Sequence, residues 1–259
     1  MWLEIKYKPT ALFSLKMSSA TSSAGKSLIS PSPYAVKMAL LNAIITYDSL
    51  EKAKEKFELI RDLEMHFALP NRIVVNNCLI KIQKPKRHDL SQKEKNKLKE
   101  QGLSEDEIRN IPKERMAKDP IDSTVAFREY VYINDELKIA VKTKEQENSF
   151  VQSDLDFLKK WFMHINYFGK RGCLFQFISA EEINELSGRY SKILEEGISA
   201  GIMFPMDDID SDASFENMNN YNHKIKAKRV QQIHIFPFRQ ERANKNFTLY
   251  SEIWRQRLD

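Results

Sequence analysis

A chain of 259 residues with 42% hydrophobic residues can bury a sizeable core, as one large domain or two small ones, and it holds no run of about 18 apolar residues that would span a membrane. The 41 Lys and Arg against 36 acids give a net charge of +5 and a pI of about 9.0, so the distribution of charge says more than its sum. Cys78 and Cys173 belong to no CxxC pair, which excludes a zinc ribbon or a disulfide framework and fits a reducing, cytoplasmic setting.

Leu3, Ile5 and Tyr7 alternate with Glu4, Lys6 and Lys8, which predicts a half-buried strand over 2–8 rather than a signal peptide. A serine-rich loop follows over 18–30. Pro31 and Pro33 then fix an extended approach to a helix, with Ser32 suited to the N-cap and Pro33 to the first helical position. From Tyr34 to Ile45 only Lys37 and Asn42 are strongly polar, so this helix is expected to be buried against a sheet. Its start gathers Lys16, Lys26, Ser18, Ser19, Ser22 and Ser23 beside free helix N–H groups, chemistry suited to phosphate. The plainer reading is a capped core helix behind a serine loop.

A second helix is expected over about 49–67, striped by Leu50, Ala53, Phe57, Ile60 and Leu63, and a strand over 72–82. The stretch 83–122 is polar and highly charged. Lys81, Lys84, Lys86, Arg87, Lys93, Lys95, Lys97 and Lys99 face only Asp89 and Glu94, and residues 100–120 swing back to acid. It reads as an insertion projecting from the core, or as a solvated charge run. Strands at 124–133 and 137–142 around Asn134-Asp135-Glu136 carry a hairpin signature. A helix at about 152–165, a turn at 167–172 with Lys170 and Arg171, and a strand at 173–178 follow.

This order is βαββαβ: an α+β protein with a ferredoxin-like or RRM-like core over 1–178, a thumb-like insertion at 83–122, and a β-containing extension over 179–259. Such a sheet leaves one face free for a ligand, commonly single-stranded RNA. In the extension we expect a short helix at 180–187 and a mobile acidic loop at 207–216 holding Asp207, Asp208, Asp210, Asp212 and Glu216. Residues 222–245 reverse the sign, with Lys224, Lys226, Lys228, Arg229, Arg239, Arg242 and Lys245 interleaved with Phe236 and Phe238 in a strand at 230–238. Cations with aromatics suit single-stranded nucleic acid, and equally describe a core strand with a basic outer face.

Residues 20–27, Ala-Thr-Ser-Ser-Ala-Gly-Lys-Ser, match a relaxed Walker A pattern, but Pro31 and Pro33 would interrupt the helix that a P-loop opens. His66, His88, His164, His223 and His234 have no metal-ligand spacing, and Asp207, Asp208 and Asp210 lack the rest of a calcium loop, so no metal and no cofactor is expected. His234, in the basic strand, is the one candidate general base for RNA cleavage.

Ser30-Pro-Ser-Pro-Tyr-Ala-Val36, opening an apolar helix after a first strand and a polar loop, resembles the proline-rich helix start of CRISPR-associated protein family five, the RAMP-superfamily subunit of type I Cascade complexes. Phe127-Arg128-Glu129-Tyr130 resembles that family's middle strand, and residues 166–173 its turn after the second helix. The resemblance covers most of residues 1–178. It implies a structural, RNA-binding subunit that caps the 5′ handle of the CRISPR RNA and contacts the neighbouring backbone subunit and the large subunit, with target DNA a further candidate partner and no membrane. The 83–122 insertion would be the thumb. Lys16, Ser18, Ser19, Lys26, Ser32, Tyr34, Lys37, Arg128, Lys170, Arg171 and Arg229 would meet RNA, and no residue would be catalytic. The alternative is a metal-independent endoribonuclease that processes CRISPR RNA. One subtype of the family cuts with a Tyr/Lys/His trio, which does not map onto this sequence.

Overall fold

The computed structural model describes residues 1–21, 24–143, 152–194, 200–219 and 225–253, so Ser22, Ser23, His223 and Lys224 lie outside the described residues. Its elements in chain order begin with β1 (Trp2–Pro9), β2 (Leu15–Lys16), β3 (Ala24–Gly25), β4 (Ser27–Leu28), α1 (Pro33–Tyr47), α2 (Leu50–Glu55), α3 (Phe57–Arg61) and β5 (Leu63–Ala68). Next come β6 (Arg72–Pro85), α4 (Gln92–Glu100), α5 (Glu105–Lys118), β7 (Ile121–Ile133), β8 (Leu137–Thr143), α6 (Gln152–Met163) and β9 (Phe175–Ile183). The chain closes with β10 (Lys192–Ile193), β11 (Ile202–Ile209), a 3-10 turn at Phe215–Met218, β12 (Arg229–Phe236), β13 (Phe238–Ala243) and β14 (Phe247–Glu252). Two compact units result: Met1–Cys78 with Arg128–Asp259, and Leu79–Phe127.

In the first unit β1 is the centre of an antiparallel four-stranded sheet of order β5-β8-β1-β9. The register pairs Leu3 with Val141, Ile5 with Ile139 and Tyr7 with Leu137, so the alternation read in residues 2–8 becomes one continuous apolar face. All six of these side chains are fully buried. The Tyr7 hydroxyl donates to the Phe162 carbonyl of α6 at 2.5 Å, and burial raises its pKa well above the ordinary tyrosine value. Helix α1 packs against α2, α3, α6 and β11. Ser32 caps it as expected: its Oγ accepts from the Ala35 N–H at 3.2 Å, and Pro33 sits at the first helical position. Losing that cap in Ser32→Ala is expected to lower stability by about 1 kcal/mol, read as a lower urea midpoint at unchanged m-value.

Several sequence expectations give way here. The helix expected over 49–67 stops at Arg61. Leu63, Met65 and Phe67 are buried while Glu64 and His66 are not, a period of two that makes 63–68 the edge strand of the central sheet. The strand expected over 72–82 lies in a second sheet of order β13-β14-β6-β7-β3. The Asn134–Glu136 turn joins strands of different sheets: β8 has β1 and β5 for neighbours, so the expected hairpin does not form. Residues up to 183 continue β9 rather than turning helical. The acidic run is no loop at its start, since Asp207 and Asp208 belong to β11, which with β10 and β12 makes a third sheet of order β10-β12-β11.

The face of the central sheet turned away from the helices is not free either. Tyr190, 5% exposed, reaches across it to hydrogen-bond Glu4, and Ser191 Oγ accepts from the Phe67 N–H at 3.0 Å. The charges on this face cancel among themselves: Lys6 lies 3.1 Å from Glu181 and 3.6 Å from Glu4, Lys138 is 3.5 Å from Glu4, and Lys142 is 3.6 Å from Glu64. A covered, self-neutralised surface offers little to a polyanion.

The second unit is built on the ends of β6 and β7 and on two helices, each opened by a complete capping box, Ser91 with Glu94 and Ser104 with Glu107. Leu90 and Ile108 are its buried apolar residues besides Ala126.

Candidate nucleic-acid interface

The loop between β1 and α1 is closed by the β2–β4 ladder, which pairs Lys16 with Ser27, and by the Met17 N–H donating to the Lys26 carbonyl at 3.1 Å. Ser27 fixes the base: its N–H donates to Glu129 Oε2 at 2.8 Å and its Oγ accepts from the Leu15 N–H at 2.9 Å. Lys16, Ser18, Ser19 and Lys26 are thereby held exposed on an anchored loop. Ser18 ties this loop to the third sheet, donating to Asp207 Oδ1 at 2.8 Å and accepting from Gln231 Nε2 at 2.8 Å.

Arg229 opens β12 beside it. Its guanidinium carbon lies 3.9 Å from the centroid of the Tyr34 ring, and its Nη1 is 3.8 Å from Asp207 Oδ2. Tyr34 is 8% exposed, and among the described residues its hydroxyl has no hydrogen-bond partner. Ser18, Tyr34 and Arg229, far apart in sequence, thus meet at the start of α1, and Lys16 and Lys26 stand on the same loop. An Arg plane stacked on an aromatic, with hydroxyls and ammoniums beside it, is chemistry for a phosphate and a base. Sequence reasoning missed Asp207 and Gln231, which hold the cluster together.

Lys37 does not belong to this surface. Its side chain is fully buried, with Nζ 2.6 Å from Asp208 Oδ1 and donating to the Arg61 carbonyl at 2.7 Å. The expectation that it meets RNA is corrected for that reason: its ammonium is committed inside, to β11 and to the end of α3. Ser32 is likewise spent on the cap. Arg128 is half-buried on β7.

Lys170 and Arg171 are exposed on the turn after α6, where Gly169 takes φ +66° and a β-carbon would meet Leu15 Cδ2 at 3.2 Å. Arg171 lines a cavity of about 250 Å³ with Asn42, Tyr47, His164 and Tyr167. The cavity runs along α1 from Ala39 to Tyr47, and the turn beside it abuts Leu15, the neighbour of Lys16.

His234 is wholly buried, 5.7 Å from the Phe67 ring centroid and 6.5 Å from that of His66, with Nδ1 3.3 Å from Ser191 Oγ. Burial, with His66 as a second cause, pushes its pKa down to about 4. The expectation of an accessible general base in the basic strand is corrected: the imidazole faces the core. Among the described residues no group of three or more His, Cys, Asp or Glu could hold a metal ion, and no helix is long and apolar enough to cross a membrane.

No family model matches the chain. It is nevertheless similar to a protein of the CRISPR-associated class. That relative is the CRISPR-associated protein Cas5 of Archaeoglobus fulgidus, 25% identical over 231 residues and covering 86% of each chain. The resemblance to family five read from residues 30–36, 127–130 and 166–173 is borne out by this match. Two solved structures are also similar: a CRISPR protein from Archaeoglobus fulgidus, with TM-score 0.44, 11% identity and 97% of this chain covering 91% of that one, and a CRISPR RNA-guided surveillance complex, with TM-score 0.42, 11% identity, and 90% of this chain covering 88% of that one.

Proposed function

We propose that this chain is a non-catalytic, RNA-binding subunit of a type I CRISPR Cascade effector complex in the cytoplasm, capping the 5′ handle of the CRISPR RNA and contacting the neighbouring backbone subunit and the large subunit. The similarity to Cas5 supports the class. The strand order β9-β1-β8-β5, with helices after β1 and after β8, supports a ferredoxin-like, RRM-like core over residues 1–178. The 83–122 insertion would serve as thumb, and the residues from 179 as an extension.

The observation that carries the RNA reading is the anchored loop with exposed Lys16, Ser18, Ser19 and Lys26 beside the Arg229–Tyr34 stack. With the outer sheet face covered and charge-neutral, the handle's phosphates would lie along this loop, and one base against the outer face of Arg229, whose other face covers the buried Tyr34 ring. Purification of the tagged protein from its host with sequencing of the RNA it carries is the direct test. Guides sharing one repeat-derived 5′ handle are the expected result; protein free of RNA and of partner subunits would refute the reading. Lys26→Ala is expected to weaken handle binding and to lower its salt slope by about 0.7 per lost phosphate contact. An unchanged slope removes Lys26 from the site. The endoribonuclease alternative would need a base other than the buried His234.

A further inference from the structure

We infer that the cavity between α1, α2 and the 3-10 turn at 215–218 is a binding site for a small amphiphile with an aliphatic tail and an uncharged amide head. The inference is independent of how RNA is held. The cavity measures about 540 Å³, a volume usual for small-molecule sites. Its apolar wall is Met38, Leu41 and Ile45 of α1, Leu50 of α2, and Phe215 and Met218 of the turn. Helix α1 is apolar nearly all round, so a face left uncovered by the core still carries apolar side chains. Ile45 and Leu50, 42% and 43% exposed, are the lips of the cavity, while Leu41 and Met218 are buried in its floor. The space equals roughly 18 water molecules at about 30 Å³ each, ample for an octyl chain. Met38 and Met218 are flexible enough to follow the shape of such a chain.

The turn that closes the cavity is fixed before a ligand arrives. Phe215 meets Phe57 of α3 edge-on, with ring centroids 5.7 Å apart. Arg61 Nη1 donates to the Ala213 carbonyl at 3.3 Å, and the Ser214 N–H donates to Asn217 Oδ1 at 2.9 Å. A wall already in place spares the ligand the cost of ordering it. The mouth then selects the head group. Lys54 and Glu216 both line the cavity, with Nζ 3.8 Å from Oε1 and 5.8 Å from the centroid of the Phe215 ring. That separation is beyond a hydrogen bond, and both side chains are about half exposed, so the pair opens at little cost. A carboxylate head would displace Glu216 from Lys54, and an ammonium head would displace Lys54 from Glu216. Each leaves one charge of the mouth without its counter-charge. A primary amide accepts from the ammonium and donates to the carboxylate at the same time, and keeps the mouth neutral.

The probe is octanamide, titrated into the full chain at neutral pH while the methionine methyl signals are followed by NMR, with octanoate and octylammonium titrated alongside. Saturable shifts of Met38 and Met218 are expected with octanamide, and affinities about tenfold lower for the two charged heads. Ile45→Trp, at an exposed lip where the fold is not at stake, should fill the cavity and abolish the shifts. The head preference should follow the mouth: Lys54→Met turns it toward octylammonium, and Glu216→Gln toward octanoate. Absence of saturable shifts at Met38 and Met218 overturns the inference. So does equal affinity for all three heads, which would mean contact with the tail alone, or a preference that neither Lys54→Met nor Glu216→Gln moves. Tighter binding of N-acetyl-leucinamide than of octanamide would assign the cavity to a peptide side chain and overturn it as well.

Discussion

Replacing Lys37 by Met is expected to cost about 3–5 kcal/mol of stability, the largest effect of any single change considered. The physical reason is what remains behind. Asp208, 2% exposed on β11, would lose the ammonium 2.6 Å from its carboxylate, and the Arg61 carbonyl would lose a donor at 2.7 Å. Asp208→Asn should cost a similar amount by removing the carboxylate charge 2.6 Å from the buried ammonium. The paired replacement Lys37→Met with Asp208→Leu should recover most of the loss, because two apolar side chains of similar volume remove both desolvation costs at once. Urea unfolding of the three variants decides the matter. Single variants within about 1 kcal/mol of the parent would mean that the pair contributes nothing measurable. This result also separates structure from recognition, since Lys37 is fully buried while Lys16 and Lys26 are exposed.

Mild acid should destabilise the protein through His234. Its imidazole titrates near 6.5 when exposed and is pushed down to about 4 in the fold. Between those values the unfolded chain binds a proton that the folded chain refuses, so the stability is complete above pH 6.5 and declines as the pH falls toward 4. At about 1.4 kcal/mol per pK unit the full loss is roughly 3 kcal/mol. The carboxyl of Glu64, held low chiefly by its hydrogen bond to His66 and also by Lys142, adds to acid sensitivity only below the ordinary carboxylate range, so the two windows are distinct. In His234→Leu the decline between pH 6.5 and about 4.5 should largely vanish, at a cost at neutral pH of about 1 kcal/mol for the lost contact of Nδ1 with Ser191 Oγ. Equal urea midpoints for the parent at pH 7 and at pH 5 would contradict the assignment.

The contrast between α1 and the residues around it shows what the sequence made legible. Pro33, Ser32 and an apolar run announce a capped, buried helix by local chemistry, and the structure contains it. The strand at 63–68 was equally visible in the alternation of Leu63, Met65 and Phe67, but the stripe of α2 and α3 ran into it at compatible spacing, and periodicity alone could not say where one period ended. Pairing was harder still. Nothing in residues 124–142 tells that β8 leaves its hairpin partner for β1 and β5, because that choice is made by burial on both faces. The Lys37–Asp208 pair could have been found. A lone cation in an apolar helix, and an acid sharing the inward parity of Ile202, Phe204 and Met206, are two misfits that satisfy each other. The Arg229–Tyr34 stack could not, since no local pattern links residues so distant in the chain.

The position of β1 at the centre of its sheet bears on how the protein comes to be made. Its neighbours are residues 137–141 on one side and 175–183 on the other. A ribosome adding about 5–20 residues per second needs on the order of 10–30 s between finishing β1 and delivering β9. Until β8 is made the apolar faces of Leu3, Ile5 and Tyr7 have no strand beside them, and until β9 is made the sheet lacks one edge. The second unit is contiguous and opens both of its helices with local caps, so it can fold while the rest waits. Chain order thus lets the contacts of the second unit close before either edge of β1 is paired.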